Sequence, residues 1–223
     1  MYSEAAAVFY SSNRIMVVPP DDFGSKPVDL KDGLLSASQF FTSCIPSDML
    51  CHLRTLEIML PKVSGHEPWE DEADSIFHDW HAAVAHLGQH ANLGALTIVM
   101  LMEVCESPTE PLVEFAANVP AEKFVALLPI LEPFRRLRGL SKFFVRLHWQ
   151  DHWSPTGSNP MQTAERFEKE GLGSHVPFLQ RLGSKFQEAE SRLEQFVMGT
   201  QYDSLAVGKF ACGPDVWISD MWS

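Results

Sequence analysis

The chain has 223 residues, of which 45% are hydrophobic and 21% charged, enough apolar material for one sizeable core. Its formal net charge of −12 sets up a field that repels nucleic-acid phosphates and anionic lipid, which argues against nucleic-acid and membrane-surface roles. The longest apolar run, Leu96 to Met102, is far too short to span a bilayer, and Met1 to Phe9 carries Glu4 without the basic start of a secretory leader. Cys44, Cys51, Cys105 and Cys212 form no Cys-x-x-Cys pair, which predicts free, buried thiols in a reducing compartment, cytoplasmic or nuclear.

In chain order, Tyr2 to Tyr10 has a helix-forming composition that Ser11-Ser12-Asn13 stops, and Ile15 to Val18 read as a short strand ended by Pro19-Pro20. The chain opens in the middle of an element, so either a helix begins at the terminus or an upstream portion is missing. A loop over 21–32 leads to a helix from Leu34 to Cys44, with Pro46 after it. A strand is expected near Thr55 to Leu60 and a polar connection over 62–71. The clearest helix covers 73–91, where Ile76, Phe77, Trp80, Val84, Leu87 and Ala91 share a side. A strand near Ala95 to Met102 follows, then a loop with Pro108 and Pro111 and a helical turn near Leu112 to Ala117. A helix starting at Ala121 must kink or break at Pro129 and Pro133. A strand over Lys142 to Trp149, a polar loop over 150–162 and an amphipathic helix over Val176 to Met198 behind a Ser174 cap complete the body. Gly199 ends that last helix. The tail 200–223 carries Phe210, Trp217, Ile218 and Trp222, either tucked onto the body or serving as a docking peptide.

Three of these stretches echo one another: Leu50-x-x-Leu53-x-x-Leu56-x-Ile58-x-Leu60, His90-x-x-Leu93-x-x-Leu96-x-Ile98-x-Met100 and Leu137-x-x-Leu140-x-x-Phe143-x-Val145-x-Leu147. Steps of three that give way to steps of two mark a turn or helix end feeding a strand with one buried face. The matching positions Leu56, Leu96 and Phe143 lie 40 and 47 residues apart, room for one helix per unit, and parallel strands need such crossovers. With Ile15 to Val18 as a further strand, the expected fold is α/β. It is a short leucine-rich-repeat-like stack of strand-helix units, with a curved parallel sheet of about four strands, helices packed on it and a C-terminal amphipathic helix. Residues 1–199 form its one domain and 200–223 its tail. An ordinary βα sandwich with accidental leucine spacing is the alternative.

Catalytic signals are thin. His78, His81, His86 and His90 share the helix over 73–91, with His52 and His66 nearby, but only His86 and His90 fall on one face, so no metal ligand set is assigned. The acidic run of Glu67, Glu70, Asp71, Glu72 and Asp74 suits the start of a helix dipole without catalysis. Gly171-x-Gly173 lacks the strand, further glycine and lysine of a phosphate loop. Nothing assembles a nucleophile, base and oxyanion hole, so no catalytic residue and no cofactor is expected. The candidate binding surface is the carboxyl end of the strands, where open α/β sheets place ligands: Glu103, His148, Trp149, His152 and Trp153, with Met102 beside them. The same aromatics also suit a plug over the sheet end.

Tyr2-Ser-Glu4-Ala-Ala-Ala-Val-Phe9-Tyr10-Ser-Ser-Asn13-Arg resembles the segment that follows the amino-terminal F-box-like motif in many fungal proteins. Leu53-Arg54-Thr-Leu56-Glu-Ile58 and Leu137-Arg138-Gly139-Leu140-Ser-Lys-Phe143-Phe144-Val145-Arg146-Leu147 are similar to their later leucine-rich units. The resemblance covers roughly residues 1–150 and rests mainly on packing residues. It implies a fungal origin, a leucine-rich α/β platform and no catalytic residues. The F-box-like helices that would bind a ubiquitin-ligase adaptor should precede Met1, so adaptor binding is not carried over. The expected function is a non-enzymatic protein-interaction module with an unknown protein partner. The alternatives are a small-molecule-binding or enzymatic protein with its site at the strand carboxyl ends, and a degenerate fragment without activity.

Overall fold

A computed structural model describes residues 2–18, 30–63, 75–104, 127–149, 160–171 and 176–209. Helix α1 (Tyr2–Ser12) is ended by Asn13, whose backbone N–H and side-chain amide both donate to the Phe9 carbonyl. Strand β1 (Arg14–Val17) follows at once. Helix α2 (Leu30–Gln39) widens into a π turn at Phe40–Cys44, closed by the Ile45 N–H on the Phe40 carbonyl. After a 3₁₀ turn at Leu50–His52 come β2 (Thr55–Val63), α3 (Ser75–His90) and β3 (Thr97–Val104). The proline-rich stretch resolves into a short helix α4 (Leu128–Leu131) that passes into a 3₁₀ turn at Glu132–Arg136. Pro129 and Pro133 sit in the first turns of the two pieces, where a missing N–H costs no hydrogen bond. Strand β4 (Lys142–Trp149), α5 (Pro160–Lys169) and α6 (Val176–Met198) complete the order.

The four strands are all parallel and stand in chain order, β1-β2-β3-β4. One face of the sheet carries the rows Ile15–Leu56–Ile98–Phe143, Val17–Ile58–Met100–Val145 and Leu60–Met102–Leu147. With Ile15 only partly buried, these side chains form the main core with Leu34 and Phe41 of the α2 region, Trp80, Val84 and Leu87 of α3, Ile130, Leu131 and Phe134, and Leu182, Phe186 and Leu193 of α6. The described helices that feed this core lie on that one face, as an unbroken series of right-handed crossovers requires. Along its middle runs an aromatic chain, Phe41–Trp80–Phe134–Phe143, with ring centroids 6.3, 5.6 and 5.3 Å apart. The other face buries Val99, Leu101 and Phe144 against Met16, Met59, Tyr202 and Val207. On that second face the buried Glu57 carboxylate is ion-paired with Arg14 of β1.

The register corrects the echo in one respect. The spacing matches Leu56 with Leu96, whereas the sheet sets Leu56 beside Ile98. Leu93 and Leu96 therefore correspond to Leu50 and Leu53, and the second unit reaches its strand one residue sooner. The row Ile15, Leu56, Ile98, Phe143 gives unit lengths of 41, 42 and 45 residues by difference of those numbers, more even than the spacing alone suggests. Helix α5 is a second departure, since residues 160–162 read as loop. The cysteine expectation is half right: Cys44 and Cys51 are free but exposed. Cys105 and Cys212 lie outside the described residues, as do His66, the acidic run at 67–74, the stretch 112–117, Ser174 and the aromatics from Phe210 onward.

Residues 199–209 pack against the edge strand β4 rather than extending away. Gly199, at a φ of +99°, turns the chain out of α6, a backbone conformation that side chains disfavour. No helix among the described residues is long and apolar enough to cross a membrane.

Candidate functional site

At the strand carboxyl ends, the backbone register sets candidate residues of β3 and β4 side by side. Glu103 of β3 stands opposite His148 of β4, and Val104 opposite Trp149. Met102 points into the main core and is fully buried, so it belongs to packing rather than to a site. His152 and Trp153 lie outside the described residues.

A concave site is found elsewhere on the molecule, on the helical face and toward the ends where β3 and β4 begin. Residues His81, Ala85, Gly88 and Gln89 recur at helical spacing along α3 and form one wall. Pro133, Arg136, Leu137 and Arg138, from the 3₁₀ turn and the bend before β4, form the other, and Leu93 closes the floor. The cleft between them has a volume of about 330 Å³. Its width depends on Gly88. A Cβ built there would stand 2.6 Å from Leu137 Cδ2, so the leucine lies directly against the bare helix backbone.

The cleft is basic in a chain that is acidic overall. Arg135 is engaged outside it, bonded to Glu132 at 3.0 Å and stacked over the Phe196 ring at 4.7 Å. Arg136 and Arg138 are exposed and have no carboxylate partner among the described residues. Burial in this wall holds the His81 pKa below the ordinary imidazole value of 6.5, and the positive charges of Arg136 and His78 push the same way against Glu132. His81 therefore enters the cleft as a neutral ring, able to donate through one nitrogen and accept through the other. Among the described residues, the lining contains no carboxylate, hydroxyl or thiol. Guanidinium forks, a side-chain amide, a neutral imidazole and aliphatic surface suit binding of an anion joined to an apolar group.

The other histidines divide as their helical positions predict. His86 and His90 stack with ring centroids 4.5 Å apart, and His86 Nε2 lies 3.3 Å from Ser47 Oγ. No group of three or more His, Cys, Asp or Glu side chains among the described residues is placed to hold a metal ion.

A second polar cluster is buried beside β4. Glu194 Oε1 accepts the Val145 N–H at 2.8 Å, and Glu190 Oε1 accepts the Leu147 N–H at 2.8 Å. The Tyr202 hydroxyl accepts the Phe143 N–H and donates to the Phe143 carbonyl, both at 3.0 Å. Lys209 Nζ bridges Glu190 at 2.6 Å and Glu194 at 2.8 Å. Burial pushes the Glu190 carboxyl above its ordinary range, although the Lys209 charge opposes it. All the edge-facing N–H groups of Phe143, Val145 and Leu147 are thereby satisfied by side chains, so this cluster finishes the sheet.

Reading the sequence alone misses the cleft. The run Arg135-Arg136-x-Arg138 in an acidic chain, and a glycine inside the best helix, were its available signals. Comparisons of the chain with protein-family models, with curated proteins and with solved structures find no match.

Proposed function

We propose that the chain is a non-enzymatic protein-interaction module, acting in the cytoplasm or nucleus and related to the substrate-receiving part of the fungal F-box-like proteins it resembles. The supporting observation is the row Ile15–Leu56–Ile98–Phe143. Units of nearly equal length, laid side by side in chain order with helices on one face, are how repeat scaffolds build extended recognition surfaces. A cleft between the helical parts of successive units, lined among the described residues by arginines, a histidine, a glutamine and aliphatic side chains, adds to this reading. Proximity labelling with the intact protein in the cells that express it should enrich the same few neighbours in every replicate. A labelling pattern no different from that of the free labelling enzyme would overturn the proposal.

A second reading has one specific support, the register that sets Glu103 beside His148 at the strand carboxyl ends. It makes the protein a small-molecule-binding or enzymatic one. A metabolite that raises the melting temperature of the wild type, but not of a Glu103→Gln, His148→Gln double variant, would favour it over the first.

A further inference from the structure

We propose that the cleft between α3 and the Glu132–Arg136 turn docks an acidic peptide segment of a partner protein, one aliphatic side chain entering the floor while neighbouring carboxylates meet Arg136 and Arg138. This rests on the interaction-module reading and adds to it a place and a partner chemistry.

Three features of the cleft converge on that ligand. The first is shape. A volume of about 330 Å³ is at the small end of ligand pockets, right for one or two side chains rather than for a large cofactor. Because α3 carries a glycine at position 88, the peptide meets Leu137 lying flat on the helix instead of a projecting side chain. The second is the division of polarity. Leu93, Leu137, Pro133 and Ala85 offer aliphatic surface that a bare inorganic anion would leave uncovered, whereas Arg136, Arg138 and Gln89 offer donors that a purely apolar ligand would leave unpaired.

The third feature is charge. Neither Arg136 nor Arg138 has a carboxylate partner among the described residues, in a chain whose net charge is −12. Guanidinium forks match carboxylates in a bidentate geometry, and the match strengthens in a concave site partly shielded from water. The overall negative field works against a long polyanion such as a nucleic acid. It is screened beyond roughly 8 Å at physiological salt, so a short acidic segment held close to two arginines escapes most of it. His81, kept neutral by its burial and by Arg136, can pair with a peptide N–H or C=O without adding to the charge.

The test uses the whole 223-residue chain and fluorescence anisotropy with three short labelled peptides. In one, Asp or Glu alternates with Leu; in the second, Asn or Gln replaces the acids; in the third, Ser replaces the leucines. The acidic-aliphatic peptide should bind about tenfold or more tighter than either control. Arg136→Glu with Arg138→Glu should abolish that preference, and Ala85→Trp, which fills the cleft from an exposed helix position, should abolish binding. Arg181→Glu, on the exposed side of α6, should change nothing. Unaltered far-ultraviolet circular dichroism would show that each variant still folds. Equal binding of the neutral peptide, an indifferent charge-reversal variant, or displacement of the peptide by millimolar inorganic phosphate would overturn the assignment. Proximity-labelled neighbours that persist in the charge-reversal variant would remove the cleft while leaving the interaction-module reading in place. Absence of neighbours in the wild type would remove that reading itself.

Discussion

Trp80 is fully buried and joins three parts of the core. Its ring lies between Phe41 and Phe134, and its indole N–H donates to the buried Ile130 carbonyl at 2.9 Å. That bond fastens α3 to α4, so both walls of the cleft depend on it. Trp80→Phe should cost about 1–3 kcal/mol in urea denaturation, from the unpaired carbonyl and the smaller ring. The periodicity of 73–91 made the burial of Trp80 legible, but the hydrogen bond spans fifty residues and no local pattern encodes it. The cleft arginines were illegible for the opposite reason. Nothing in the local sequence sets Arg136 and Arg138 apart, and the placement of Leu137 against Gly88 is what brings them beside α3.

Glu190 makes the stability of the fold depend on pH. Burial raises its folded pKa above the ordinary 4.5, so the folded chain holds this proton more tightly than the unfolded one. The associated stability is complete below about pH 4.5 and is lost as pH rises through the raised value. Glu190→Gln removes the titration while keeping an oxygen for the Leu147 N–H. Over that window the melting temperature of the variant should therefore fall less with rising pH than that of the wild type. Parallel slopes would show that the carboxyl titrates normally.

Among the elements, β4 shows most directly how sequence becomes architecture. The alternation Phe143, Val145, Leu147 turns these side chains into the core and, in a parallel strand, turns the intervening backbone groups toward β3. Their own N–H groups then face outward, where Tyr202, Glu194 and Glu190 take them up. Tyr202→Phe strips both partners from Phe143 and should cost about 1–3 kcal/mol. Amide hydrogen exchange should accelerate at Phe143 before it does at Ile98 in the sheet interior. The strand itself was legible from its period of two. Its cap was not, because Glu190 and Glu194 look like ordinary polar positions of an amphipathic helix until a strand edge is placed beside them. The offset in the second echo has a similar origin, since Leu96 closes a turn while looking, by spacing, like the first strand residue.

At the scale of the molecule, the even unit lengths and the continuous main core predict a single cooperative transition. Core residues from all four strands and from α2, α3, α4 and α6 belong to one cluster, so no part can open without exposing the rest. Calorimetric and van't Hoff enthalpies should agree; a van't Hoff value well below the calorimetric one would mark independently melting parts and favour the degenerate-fragment alternative. The parallel order of the sheet was legible because each unit repeats one alternation between punctuating turns. The location of the cleft was not. Repeats report how units stack, while a cleft belongs to the gap between two of them and is written in residues that differ from unit to unit.

The side-chain cap on β4 also decides how copies of this molecule can meet. With that flank closed, β1 is the one sheet flank that the described residues leave for strand pairing between two copies, and a flank that meets its own counterpart is used up once the two are joined. Growth into a fibre needs two free flanks per copy, so association through the sheet ends at a pair.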